Sequence, residues 1–227
     1  MGLLAALLFT GFAMLGSWQL QRRAWKLDLI ERVETRVRAP AVAAPGSERW
    51  AQVSAAGDEY RRVQVTGRFL ADADTFVQAV TERGAGFWLL TPLQRDDGSM
   101  LLVNRGFVPP ESRTSVSVSA GTITLTGLLR VTEPGGGFLR RNDPGANRWY
   151  SRDVAAIAAA RRLENVAPYF VDADAAPDSS VPPVGGLTVI AFTNNHLVYA
   201  ITWYTLALMV AAGAWRLMRE ERRVELD

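Results

Sequence analysis

Two stretches of this chain cannot be solvated as ordinary protein surface. Met1 to Gln21 carries no charged side chain, and between Asp178 and Arg216 there is no Asp, Glu, Lys or Arg. Leu3 to Leu20 would make about 27 Å of helix at 1.5 Å per residue, close to the hydrocarbon thickness of a bilayer. The second run divides. Pro182, Pro183, Gly185 and Gly186 bar helix from its first part. Leu187 to Thr193 reads as a strand, and His196 to Trp215 would form about 30 Å of helix, again one bilayer. A cleaved signal peptide fits the first run poorly, because no basic segment leads it and no small-x-small cleavage site follows it.

The first span is expected to leave the bilayer as one continuous helix. Between Ser17 and Ala39 there is neither glycine nor proline, and Leu29, Ile30, Val33 and Val37 recur at helical spacing. Asp28–Arg32 and Glu34–Arg38 are i,i+4 pairs in the favourable order. Pro40 ends the run.

What lies between the spans reads as strands. Tyr60 to Phe69 alternates, with Val63, Val65 and Phe69 on one side and Gly67 marking a bulge or a close approach. Thr75 to Val80, Phe87 to Leu93, Met100 to Phe107, Thr122 to Leu129 and Tyr169 to Val171 follow. Turn residues such as Arg83-Gly84, Asp97-Gly98 and Pro109-Pro110 separate the earlier ones. One helix is predicted, Asp153 to Leu163, with Ser151 as its cap. The fold class expected is a membrane protein: two transmembrane α-helices flanking a strand-rich, antiparallel, barrel-like α+β domain outside the cytoplasm. Its boundaries are residues 1–20 for the first span and 21–39 for its helical extension. The domain is residues 40–193, the second span 194–217 and a cytoplasmic tail 218–227.

Composition removes several function classes. The formal charge is only +2, so no nucleic-acid partner is expected. There is no cysteine and a single histidine, which excludes disulfides, thiol catalysis, a histidine-based triad in the middle domain and a multi-histidine metal cluster. No glycine-rich phosphate loop precedes a helix. The pairs Asp72/Asp74 and Asp172/Asp174 sit beside strand ends and read as solvated turns rather than metal ligands. The chain is therefore not expected to be an enzyme. Charge does not decide orientation: Arg216, Arg219, Arg222 and Arg223 favour a cytoplasmic C-terminus, whereas Arg22, Arg23, Lys26, Arg32, Arg36 and Arg38 argue the reverse.

The one imidazole, His196, stands at the mouth of the second span. His196, Tyr199 and Trp203 fall at i, i+3 and i+7 on one helix face. That face offers a possible ligand at the interface and aromatic area running inward. It equally suits an interfacial polar residue beside Asn194 and Asn195 with an aromatic belt. Trp18, Arg22 and Trp25 share a face of the first helix in the same way. They offer a cation to a carboxylate partner, or simply anchor the helix at the interface.

Five blocks together resemble the Surfeit locus protein 1 family. They are Gly16-Ser17-Trp18-Gln19-Leu20-Gln21-Arg22-Arg23-Ala24-Trp25-Lys26; Tyr60-Arg61-Arg62-Val63 with Gly67 and Phe69; Leu101-Leu102-Val103-Asn104-Arg105-Gly106-Phe107-Val108-Pro109; Asn142, Pro144, Asn147, Trp149, Arg152 and Asp153; and Asn195-His196-Leu197-x-Tyr199-x-x-Thr202-Trp203-Tyr204. They fall in the family's order across residues 16 to 204. The resemblance implies an assembly factor for haem–copper terminal oxidases, mainly cytochrome c oxidase, that binds haem a as cargo and helps install it in the catalytic subunit. It implies His196 as axial ligand of the haem iron, with Tyr199, Trp203, Trp18, Arg22, Arg23 and Trp25 around the cargo. The implied partners are the oxidase's catalytic subunit, haem a synthesis or other assembly proteins, and membrane lipid, with self-association left open. The implied place is a bacterial inner membrane, with the middle domain in the periplasm. The other readings are a protein-only scaffold for an oxidase intermediate and a membrane-tethered enzyme using carboxylates.

Overall fold

The structure, a computed structural model, describes residues 2–70, 72–118, 120–137, 139–176, 181–188, 190, 192 and 194–224, with side chains to residue 220. The chain divides into two units, Met1–Arg32 with Ile190–Asp227, and Val33–Val189. The first is built from helix α1, Gly2–Arg38, and helix α4, His196–Val224. Both are long and apolar enough to cross a membrane, and only 11% of each apolar window is buried. Leu3, Leu4, Leu7, Ile201, Leu208 and Met209 all stand exposed. Rods that present leucine on most of their circumference belong in lipid, not water. α1 runs unbroken to Arg38, as the lack of glycine and proline requires. Of the two predicted ion pairs along it, Glu34–Arg38 closes at 3.3 Å.

The second unit is a barrel. Its strands are β1 (Val42–Ala43), β2 (Arg62–Phe69), β3 (Thr75–Thr81), β4 (Gly84–Gln94), β5 (Met100–Val108), β6 (Thr122–Val131) and β7 (Val166–Ala173). The sheet order is β1-β2-β6-β7-β5-β4-β3, and β2 also pairs β4. That extra pairing closes a ring of five, β2-β6-β7-β5-β4, with β1 and β3 attached outside it. Four of the five ring pairings are antiparallel, as expected; β5–β7 is parallel. Directions cannot alternate all the way round a ring with an odd number of members, so one parallel pair is a geometric necessity. Gly67 is a close approach: a Cβ there would run into the Gln94 carbonyl, where β4 crosses to β2.

Strand alternation sorts the side chains into two cores. Val63, Val65, Leu93, Leu101, Val103, Leu129, Ala167, Tyr169 and Val171 fill the barrel. Tyr169 hides its hydroxyl there by donating to the Pro45 carbonyl at 2.7 Å, and burial pushes its pKa up to about 12. Leu90, Leu102 and Phe170 point outward and are covered by Trp149, Val77 and the helix α3, Val154–Arg161. The four-residue helix α2, Ala55–Asp58, was not evident in the sequence.

Two local expectations fail. The cap of α3 is Asp153, whose side chain accepts from Ala156 N, not Ser151. Ser151 instead accepts from Gly136 N and Asn142 Nδ2, tying down the turn before the helix. Nor do the described residues between 187 and 193 form a strand. Upstream of them the chain is stitched to the barrel by single contacts: Phe107 and Val184 exchange two backbone hydrogen bonds of 2.9 Å, and Gly186 N donates to Ala173 O.

Candidate functional site

In the helical unit, α1 and α4 pack along a seam with a 3.5-residue period. Among the shielded positions of α1, Phe12, Gly16, Gln19, Arg23 and Lys26 fall at steps of four and three. His196, Ala200, Trp203, Ala207 and Val210 repeat the pattern on α4. This is the spacing of helices packed at a shallow angle. Gly16 lets the ring of Tyr204 lie against the α1 backbone; a Cβ there would come within 2.9 Å of it. Ser17 Oγ and Tyr204 Oη hydrogen-bond at 3.0 Å, and the rings of Phe12 and Trp203 stack 5.7 Å apart.

His196 is the first residue of α4 and is half-buried. Its Nδ1 lies 2.7 Å from Oε1 of Gln19. An amide oxygen only accepts, so Nδ1 is the donor, and in a neutral ring Nε2 would present its lone pair. Two residues earlier, the Asn194 Oδ1 is buried with no partner among the described residues. On the other side, Lys26 Nζ sits 5.4 Å from the centre of the Phe192 ring.

The remaining expected residues separate into groups. Trp203 is in the seam. Tyr199, one turn past His196, faces outward and is exposed. Trp18, Arg22 and Trp25 form a ladder on the open side of α1, with the Arg22 guanidinium 5.6 Å from each indole. Arg23 lies in the seam, one turn beyond Gln19. Sequence reasoning gave no role to Gln19 and read Tyr204 as part of an aromatic belt, although the heptad Phe12-Gly16-Gln19-Arg23-Lys26 was present to be read. A cleft of about 580 Å³ between Leu4, Phe9, Val210 and Met218 lies at the other end of the helix pair from His196.

The donor set at His196 would suit a metal only if the metal brought ligands of its own. Among the described residues no group of three His, Cys, Asp or Glu side chains converges. A bare ion would find one nitrogen. A cargo metal that carried its own ligands would need no more than that nitrogen, with Nδ1 held by Gln19.

The barrel carries a second polar constellation. Asn104, Arg130 and Asp172 lie on the neighbouring strands β5, β6 and β7, with Asn104 directly opposite Asp172. Asp172 was expected in a solvated turn; it is instead 3% exposed and the hub of the domain. It accepts from Asn104 Nδ2 at 2.7 Å, Arg130 Nη1 at 2.9 Å, Arg152 Nη1 at 3.1 Å and Thr188 Oγ1 at 3.0 Å. Glu59 takes Arg130 Nε at 2.7 Å, and Glu133 takes Arg152 Nη2 at 2.5 Å. Burial works to raise the Glu133 pKa, but Arg152 and Arg130 hold it below the ordinary range. Asp174, Asp172's neighbour in the sequence pair, binds Arg62. Each of these acids is paired with an arginine, so the arrangement ties β5, β6 and β7 to the segments that carry Glu59 and Arg152.

Comparison with known proteins covers nearly the whole chain. The SURF1 family model matches residues 6–208. Surfeit locus protein 1 of Homo sapiens is 36% identical over 217 residues, spanning 85% of this chain and 69% of that protein. The protein of the same name in Mus musculus is 35% identical over 215 residues, spanning 85% and 67%. A SURF1-like protein of Monosiga brevicollis is 34% identical over 226 residues, spanning 91% and 83%.

Proposed function

Because the chain belongs to the SURF1 family, we propose that it is an assembly factor for a haem–copper terminal oxidase, holding haem a for delivery to the catalytic subunit. It works by binding and release rather than turnover, from a bacterial inner membrane, with the barrel on the periplasmic side. The observation that carries the reading is the His196–Gln19 hydrogen bond, since Nδ1 donating to Oε1 leaves Nε2 of a neutral ring free. The seam below His196 is filled by Tyr204, Trp203 and Phe12. The cargo therefore lies across the open flank of the helix pair rather than between the helices. Outside the seam, Tyr199 and the Trp18 and Trp25 indoles supply apolar area and Arg22 supplies charge for the propionates, while Arg23 offers its charge from within the seam.

The test is spectroscopic. Protein purified from cells that make haem a is compared with His196→Ala and Gln19→Leu by haem content and Soret absorption. His196→Ala is expected to lose the bound haem. Gln19→Leu keeps the ligand but not its orientation, and its haem affinity is expected to fall by roughly 10- to 100-fold. Equal haem content and an unshifted Soret band in His196→Ala would remove the cargo role. The closed seam would then favour the second reading, a protein-only brace for an oxidase intermediate.

A further inference from the structure

Arg105 follows Leu101 and Val103 along the inner side of β5 and reaches the end of the barrel. Its guanidinium lies over the ring of Phe69, 5.2 Å from the centre. Nη2 donates to the Ser117 carbonyl at 2.7 Å. Nη1 is sealed from solvent and has no hydrogen-bond partner among the described residues. Burial lowers the pKa of this arginine, and the charge of Asp74 only partly opposes that. A buried donor with no acceptor among the described residues is costly, and a bound ligand is one group that can satisfy it.

A cavity of about 540 Å³ opens against Arg105, walled by Phe69, Leu125, Val181, Pro183 and Thr126. Asp174 is also on its wall, but its carboxylate is already bound to Arg62 at 2.5 Å, so it does not neutralise Arg105. The volume is that of a small-molecule site, and the walls are mostly apolar with one cation at the edge. We propose that this end of the barrel binds a small organic carboxylate with an apolar body. The carboxylate pairs with the guanidinium, and the body lies against Phe69, Leu125 and Pro183. A bare inorganic anion would leave those walls unused. The site is confined to the barrel, so it stands or falls independently of the cargo site on the helices.

The full chain in nanodiscs is titrated with 3-phenylpropionate, benzoate, acetate and inorganic phosphate. Unfolding is followed by tryptophan fluorescence, and binding by fluorine NMR line-broadening of 4-fluorophenylpropionate. Saturable binding of the aromatic acids is expected, with acetate and phosphate at least about tenfold weaker. Arg105→Met keeps the stem and removes the charge. It is expected to abolish binding while unfolding, without ligand, at or above the wild-type temperature. Leu125→Trp fills the cavity and is expected to abolish binding with Arg105 intact. Three results would overturn the site: no saturable binding of either aromatic acid, equal binding of acetate and phosphate, or a ligand-free Arg105→Met protein that unfolds well below wild type. The last would make Arg105 a structural bridge.

Discussion

Replacing Asp172 by alanine is expected to lower the unfolding temperature of the barrel by about 10 °C, the largest loss from any single polar truncation in this chain. The reason is the company that carboxylate keeps. Arg130 and Arg152 have side chains only 13% and 14% exposed, and both aim Nη1 at Asp172. Without it, two half-desolvated guanidiniums face each other across an empty site with only Glu59 and Glu133 behind them. Removing one partner of a buried ion pair costs about 3–5 kcal/mol, well above the worth of the pair itself, because the remaining charge is stranded. Asn104 Nδ2 and the Thr188 hydroxyl lose their acceptor as well. Asp172→Asn keeps the shape but brings an amide donor toward two cations, and is expected to fall between alanine and wild type. The control is Asp143→Ala, whose partner Arg148 is 61% exposed, so the change is expected to leave unfolding nearly unmoved. Tryptophan fluorescence during heating measures all three, and an Asp172→Ala curve that overlays Asp143→Ala would show the network to be ornamental.

Gly106→Ala is expected to cost about 3 kcal/mol or more, for two reasons that can be separated. The residue sits at φ 130°, a backbone state that L side chains rarely adopt. Its missing Cβ also makes room for the backbone of Val184 and Gly185, into which an alanine methyl would be built. Neither partner is a flexible side chain, so the segment must lift, and the paired Phe107–Val184 hydrogen bonds break with it. Gly84 isolates the first reason, because it too has positive φ, 99°, but nothing stands within 4 Å of where its Cβ would go. Gly84→Ala is expected to cost about 1 kcal/mol. Hydrogen exchange at the Phe107 and Val184 amides separates the two: fast exchange in Gly106→Ala alone is the expected pattern.

Much of this architecture was legible because its causes are local. Apolar runs with no charge reveal helices that need lipid, and alternation in Tyr60 to Phe69 reveals a strand with one face inside. Asp172 was misread for a physical reason. A carboxylate beside a strand end looks solvated until the partners that bury it are known, and Arg130, Arg152 and Thr188 come from three separate places in the chain. The Leu187 to Thr193 segment has strand composition, but β-propensity needs a neighbour with free backbone groups, and the described residues there have none. Gln19 was missed because a polar residue on an apolar helix reads as an interfacial anchor. Only its step of three from Gly16 and of four to Arg23 places it in the seam, opposite His196. The axial role proposed for His196 joins a chemical possibility in the sequence to the Gln19 contact that the fold adds.

The ring order has a consequence for how the barrel is made. β7 is the last ring strand to be synthesised, yet it takes its place between β5 and β6 rather than at a rim. Until residue 173 has emerged, the nascent ring is a cleft cylinder with two unsatisfied edges facing each other, each able to recruit a foreign strand. The piece that zips it shut arrives only about twenty residues ahead of the second greasy helix. Completion of the cylinder and arrival of that helix are thus nearly one event, and a ribosome that stalls between them leaves an open, adhesive trough at the membrane.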